Sequence, residues 1–277
     1  MAVGRPRFLE MAVDMALSLR EHTSLPIAIA ADRELAARSR DLYPRVFDEV
    51  TDIPSRFVGS ARKYGTAEAS PFEETIFLDA DCIVLRSLEH FWGALELSDF
   101  SMVGASLTPE DDMRHHGFST QWLIRRFHLE RYLKTNSGLI CFRRTAAVDI
   151  MEECLDCYLN EARPVLRWQI LLGRWLGDEI VFGIVGGRRG LNTLPEPSPM
   201  YWPAEFESID LDAPSKPLLH FIWPPPPTVV DAVVAGTTAR RRAADVPGDA
   251  ESHWREEARE LSRMAWRVRL LERIGLA

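Results

Sequence analysis

The apolar run Thr75-Ile76-Phe77-Leu78 is followed at once by Asp79-Ala80-Asp81, two carboxylates with one residue between them. A run this short and this apolar reads as an interior strand buried on both faces of a parallel sheet. Helix-like and strand-like segments alternate around it. Phe8 to Glu21 sets Leu9, Val13, Met15, Ala16 and Leu19 near one helical face, and Leu25 to Ala30 follows as a buried strand. Asp32 is placed to cap a short helix to about Asp41, and Val46 to Val50 is a weaker strand. Ala61 to Ser70 reads as a helix closed by the Ser70-Pro71 step, since proline disfavours the helical conformation of the residue before it. Downstream, 107 to 135 is polar and irregular, Gly138 to Phe142 is a strand and Thr145 to about Glu161 a helix. A further helix starts near Asp178, and Leu218 to Ile222 is a last strand before the extended Pro224 to Pro227. The pattern predicts an α/β fold, a mostly parallel sheet with flanking helices. Ligands of such sheets bind beyond the carboxyl ends of the strands.

Side chains two apart on a strand point to one side, so Asp79 and Asp81 can converge on one cation. Hard oxygen ligands of this kind suit Mg2+ or Mn2+, which keep positions open for water and substrate phosphates. An isolated Asp-x-Asp more often just ends a strand and caps a turn; the preceding apolar run favours a functional role. Two enzyme types share the motif. Haloacid-dehalogenase-type phosphatases also place Asp-x-Asp after a hydrophobic strand, but Ile83 stands where their motif usually continues to Thr or Val. Their later acidic pattern begins at Gly177-Asp178, yet Phe182 occupies its closing position.

Four separated segments, in order, resemble family 8-type glycosyltransferases, with a related likeness to fungal-type α-mannosyltransferases. They are Ser70 to Leu85 (SPFEETIFLDADCIVL), Asn136-Ser137-Gly138, Gly177-Asp178-Glu179 and Leu219-His220-Phe221, with Lys63 upstream. The resemblance covers roughly residues 1 to 225. It implies a GT-A-like fold and transfer of a hexosyl group from a UDP- or GDP-sugar to a hydroxyl acceptor, which is a glycan, a lipid-linked molecule or a small molecule. It implies Mn2+ or Mg2+ on Asp79, Asp81 and His220, and a donor held by Lys63, Asp79, Ala80, Asn136, Ser137 and Gly138. Lys63 would stabilise charge developing on the leaving nucleotide. Asp178 would accept hydrogen bonds from sugar hydroxyls, and it is also a good cap for the helix that follows. Glu179 departs from the family, whose best-known members carry glutamine near the reacting carbon. A carboxylate there suits a nucleophile, an oxocarbenium stabiliser or a general base, so the retaining outcome that the family implies competes with inversion.

The opening Met1-Ala2-Val3-Gly4 reads as the tail of the strand with which such folds begin. A start codon upstream of the one given is the expectation this raises, and a non-catalytic sugar-nucleotide-binding module is the alternative it brings. Cys154 and Cys157 fall inside a helix without a second cysteine pair at matching spacing, so buried thiols are expected rather than zinc. His115-His116 reads as a solvated turn. The expected organisation is a transferase domain over 1–235, an Ala/Arg-rich linker over 236–249 and an amphipathic helix over 250–277. That helix sets Trp254, Leu261, Met264, Ala265, Val268 and Leu271 broadly along one side, interleaved with arginines. It is expected to pack on the main domain or a second copy, with peripheral contact to an anionic membrane as the alternative. A net charge of -8 excludes a basic nucleic-acid footprint. With neither a signal-like start nor a spanning apolar run, a cytoplasmic protein is expected.

Overall fold

The computed structural model of the 277-residue chain describes residues 1–171, 176–194 and 197–273. The side chains of Leu271, Glu272 and Arg273, and residue Ile274, lie outside the described set. The strands, in chain order, are β1 Ala28–Ala31, β2 Glu49–Asp52, β3 Glu74–Leu78, β4 Cys82–Val84 and β5 Phe100–Leu107. They continue with β6 Arg114–His115, β7 Phe118–Ser119, β8 Tyr132–Arg143, β9 Asn192–Thr193 and β10 Leu218–His220. Helices alternate with them in a mixed α/β fold. The chain forms two compact units: Met1–Asp52, Leu78–His90 and Pro197–Gly275 make the first, Ile53–Phe77 and Phe91–Glu196 most of the second.

In the first unit β1 and β2 pair in parallel, Ala28 opposite Glu49 through Ala31 opposite Asp52. Ala2 bridges to Ala31 in parallel, its N–H donating to the carbonyl of Ala30 at 3.0 Å. Helix Pro6–Arg20 buries Leu9, Val13, Met15 and Ala16, the face its periodicity foretells. Asp32 caps helix Arg33–Leu42, its Oδ1 accepting from the N–H of Leu35 at 3.2 Å.

The expected linker is corrected. Helix Pro227–Ala243 runs through most of it, and Pro227 opens that helix rather than continuing an extended tract. Alanine and arginine are strong helix formers, and from Thr237 to Val246 no glycine or proline interrupts them, so the first break signal is Pro247-Gly248, just beyond the helix. Arg241 is buried here and holds Asp14, itself fully buried, through Nε at 2.5 Å. His253 Nε2 (2.6 Å) and Trp254 Nε1 (2.7 Å) of the last helix, Ala250–Arg273, meet the other oxygen of Asp14. One buried carboxylate therefore ties three helices together. Trp254, Leu261 and Ala265 are buried as expected, whereas Met264 is exposed. Among the described residues no helix is long and apolar enough to cross a membrane.

The second unit is built on a four-stranded sheet of order β3-β8-β5-β9, with β5 antiparallel to β8 and parallel to β9. β8 is longer than the strand read from Gly138 to Phe142, because Tyr132 to Thr135 also pairs with β5. Helix Asp178–Arg189 lies on β8, and its glycines set the spacing. A Cβ at Gly183 would meet the Tyr132 ring at 2.4 Å, and one at Gly187 would meet the carbonyl oxygen of Arg131 at 2.2 Å. The irregular stretch contains a hairpin of β6 and β7 and a short helix Thr120–Arg126. Cys154 and Cys157 are buried thiols, Cys157 pushed up to about 12 by burial, and no disulfide forms among the described residues.

Candidate functional site

Two groups of polar side chains gather the residues singled out by sequence, one in each unit. In the first unit Asp79 and Asp81 lie on the tight turn that joins β3 to β4, closed by the N–H of Cys82 on the carbonyl of Asp79 at 3.3 Å. The turn rather than strand alternation brings the pair together, because β3 ends at Leu78. His220 arrives through antiparallel pairing of β4 with β10, which sets it opposite Cys82, and the N–H of Phe221 donates to the carbonyl of Asp81 at 3.0 Å. His220 Nε2 stands 3.2 Å from Asp81 Oδ1 and 3.9 Å from Asp79 Oδ2. The imidazole is buried and both carboxylates are partly open.

Two carboxylates and one imidazole on a partly open rim fit a divalent cation that keeps positions for phosphate oxygens. Cys82 brings its thiol close as well: Asp81, Cys82 and His220 each place a ligand atom within 4.8 Å of the others. Ala80 is buried in the core, which leaves only its backbone to meet a donor. A further carboxylate belongs to this unit. Burial, reinforced by the charge of Asp81 and opposed by Arg7, pushes Glu257 up to about 7. Arg7 Nη2 stands 3.0 Å from it. Sequence periodicity placed Glu257 on the last helix and gave no sign of this neighbour.

The second group is organised by a bulge in β8. Met102 of β5 pairs with Ile140 and Val103 with Asn136, so Ser137, Gly138 and Leu139 bulge out of the pairing with β5. Asn136 Oδ1 accepts from the N–H of Gly138 at 2.9 Å and shapes the bulge from within. Ser137 is the hub. Its hydroxyl donates to Asp178 Oδ2 at 2.6 Å and accepts from Lys63 Nζ at 2.8 Å, and its N–H donates to Glu179 Oε1 at 3.0 Å. Lys63 also pairs with Asp178 at 3.1 Å and lies 5.7 Å from the centre of the Phe77 ring. Gly177 holds the N-cap position, so Asp178 is the first helical residue and its carboxylate turns to Lys63 and Ser137 instead of capping. Two acidic residues in a first helical turn are favoured by the helix dipole.

The expected solvated turn holds for His116, which is exposed in the hairpin turn, and not for His115. His115 is buried, and both Nε2 atoms approach Glu179 Oε2, His116 at 2.5 Å and His115 at 3.5 Å. Burial works against ionisation of Glu179, yet its two histidine neighbours hold it well below the usual carboxylate range. Burial also works against a charged His116, and the hydrogen bond to Glu179 prevails and raises it, whereas burial prevails at His115 and lowers it. The hairpin escaped the sequence because its strands are two residues long, too short to show alternation.

No protein-family model matches the sequence. No curated protein matches it either. Among solved structures the chain is similar to the glycosyltransferase GlyE of Streptococcus pneumoniae TIGR4, at 15% identity and a TM-score of 0.48, over 79% of this chain and 53% of that one. It is similar to mouse xyloside xylosyltransferase 1 at 11% identity and a TM-score of 0.45, over 77% of this chain and 92% of that one. It is also similar to the bifunctional glycosyltransferase WbbM at 11% identity and a TM-score of 0.47, over 86% of this chain and 50% of that one. The chain spans about half the length of GlyE.

Proposed function

We propose that this protein is a glycosyltransferase that moves a hexosyl group from a UDP- or GDP-sugar to a hydroxyl acceptor, with Mn2+ or Mg2+ at Asp79, Asp81 and His220. The observation that carries it is the approach of His220 Nε2 to both aspartates, brought from far along the chain by the pairing of β4 with β10. A bound cation there supplies charge neutralisation to a departing nucleoside diphosphate. The protein's own part is to hold three ligands on a short turn and a buried strand, so that little reorganisation accompanies donor binding.

In the second unit, Lys63, Ser137 and Asp178 form a charge-balanced, hydrogen-bonded group. Taken by itself, that group suits a sugar phosphate: Asp178 accepts from sugar hydroxyls, Lys63 is a cation for phosphate, and the bulged Asn136-Ser137-Gly138 is a close-packed wall. Glu179 reaches a reacting carbon only when its Oε2 exchanges His116 for substrate. Held ionised, it suits a nucleophile or charge stabiliser better than a general base, which needs appreciable proton affinity. That favours retention. The acceptor meets the enzyme in solution or at an anionic membrane, where exposed Trp266 and Leu270 beside Arg263, Arg267 and Arg269 on the last helix make peripheral contact.

The phosphatase alternative is weaker because Phe182, where its second acidic ligand belongs, is buried with its ring 5.3 Å from that of Tyr64. Incubation with UDP- and GDP-sugars and Mn2+, followed by detection of released nucleoside diphosphate, separates the two. Glycosyl transfer or donor hydrolysis yields UDP or GDP and is lost in Asp79→Asn. Release of phosphate from simple phosphomonoesters with no attack on either donor would establish the phosphatase instead.

A further inference from the structure

His116 occupies the left-handed region at φ 48°, followed by Gly117 at 81°, in the two-residue turn of the hairpin that pairs His115 with Phe118. Positive φ at both central positions is the geometry of a type I′ turn, which favours asparagine, aspartate or glycine. A side chain held there costs about 1–2 kcal/mol. A histidine at such a position is explained by what its ring meets, and the ring meets Glu179.

We propose that His115, His116 and Glu179 form a binding site for a zinc-class transition-metal ion in the second unit. Each of the three offers a ligand atom, and these atoms all lie within 4.8 Å of one another. Bonds of about 2.0–2.1 Å in a tetrahedron set ligand atoms roughly 3.3 Å apart. His115 Nε2 already stands 3.5 Å from Glu179 Oε2, and His116, hydrogen-bonded to that oxygen at 2.5 Å, has to draw back by under about 1 Å for an ion to take the place of that bond. The outer partners are those a metal-binding ring requires. His115 Nδ1 meets the Tyr132 hydroxyl at 2.7 Å, an oxygen that can accept from Nδ1–H and so supports the tautomer with a lone pair on Nε2 when an ion binds. Glu179 Oε1 is held by the Ser137 N–H, which leaves Oε2 to the ion. The His116 side chain is 35% exposed, so the ion has an entry path and a fourth position for water.

Two imidazoles and one carboxylate with an open position suit Zn2+ or Co2+, in contrast to the oxygen-rich Asp79 and Asp81 group. The assignment does not rest on glycosyl transfer, and it bears on that proposal at one point. With Oε2 on the ion, Glu179 anchors the hairpin and no longer meets a reacting carbon. Its part in favouring retention then belongs to the metal-free site alone, and Asp178 is the carboxylate left for sugar hydroxyls.

The test is Co2+ absorption and Zn2+ stoichiometry on the full chain, with thermal melting as a second readout. The double variant Asp79→Asn/Asp81→Asn is expected to keep the intense tetrahedral Co2+ bands of the wild type, displaced by one Zn2+ per chain, and a Zn2+-dependent rise in Tm. His116→Gly is the decisive variant, because glycine keeps and relaxes the turn while removing the ligand. It is expected to fold at least as well as wild type in metal-free buffer, to lose the Co2+ bands and to bind Zn2+ at least tenfold more weakly. His115→Ala is expected to weaken Zn2+ in the same way. Unchanged Zn2+ affinity in His116→Gly, no saturable Zn2+ in wild type, or bands lost only in the aspartate double variant would each overturn the site. None of those results bears on Mn2+-dependent donor binding, which is measured separately.

Discussion

Replacement of Gly183 by alanine tests whether the helix that carries Asp178 and Glu179 is set by its close approach to β8. An added Cβ would lie 2.4 Å from Tyr132 Cζ and 2.5 Å from the carbonyl oxygen of Leu133. Unstrained contacts run near 3.5 Å, so the helix must retreat by roughly 1 Å. The 2.6 Å bond from Ser137 Oγ to Asp178 and the 3.0 Å bond from Ser137 N to Glu179 are then stretched toward the limit or beyond it. Overpacking costs about 1–3 kcal/mol. Loss of one hydrogen bond to a charged group adds about 1.5–3 kcal/mol, and the better helix propensity of alanine returns about 1 kcal/mol. The net expectation is a loss of roughly 1.5–5 kcal/mol in urea denaturation. Gly236→Ala in helix Pro227–Ala243 is the control, since its Cβ would meet only the far end of Arg240 at 3.3 Å. That variant should gain about 0.5–1 kcal/mol. Equal stabilisation by both substitutions would refute the close-approach argument.

Asp14→Ala leaves Arg241 buried with Glu10 as its one remaining ionic partner among the described residues and strands the ring N–H donors of the last helix, so a loss of about 3–5 kcal/mol is expected. Arg255→Ala, at a surface pair, should stay below about 1 kcal/mol in the same denaturation series. Glu257→Gln should act through pH. The folded carboxyl titrates near 7 against 4.5 for its unreacted form, so the unfolded chain gives up its proton first and wild-type stability falls as pH rises through that window. In metal-free buffer the variant is expected to match wild type near pH 4 and to exceed it by on the order of 3 kcal/mol at pH 8. A constant difference across that range would contradict the assignment. Ser137→Ala removes the hydroxyl that joins Lys63 to Asp178 and should cost about 2 kcal/mol in stability and weaken donor binding, read by denaturation and by calorimetry.

Sequence made the metal-type group in the first unit legible because its signal is local: an apolar run, two carboxylates, and a histidine inside a second apolar run. That β4 and β10 pair in the register that sets His220 beside Asp81 is a long-range fact no local pattern encodes. The same limit hid the arrangement of the second unit. Asn136-Ser137-Gly138 reads as a turn or a motif, and only pairing with β5 shows it to be a bulge that frees Ser137 for Lys63, Asp178 and Glu179. His115-His116 looked solvated because polar residues in a polar stretch normally are. His116 is indeed exposed, but His115 is buried beside Tyr132 and Glu179, which arrive from other elements. The Ala/Arg-rich composition of 236–249 reads as a linker, but those same residues favour helix, and the buried partner of Arg241, Asp14, lies far away in sequence, where local composition does not show it.

Metal-linked donor binding through Asp79, Asp81 and His220 is tested most directly by calorimetric titration of the wild type and Asp81→Ala with UDP- and GDP-sugars, with and without Mn2+. One nucleotide sugar should bind the wild type saturably with Mn2+, and binding should weaken at least tenfold when the cation is withheld or Asp81 is removed. Absence of binding by either donor, or binding indifferent to both Mn2+ and the substitution, would contradict the proposed function.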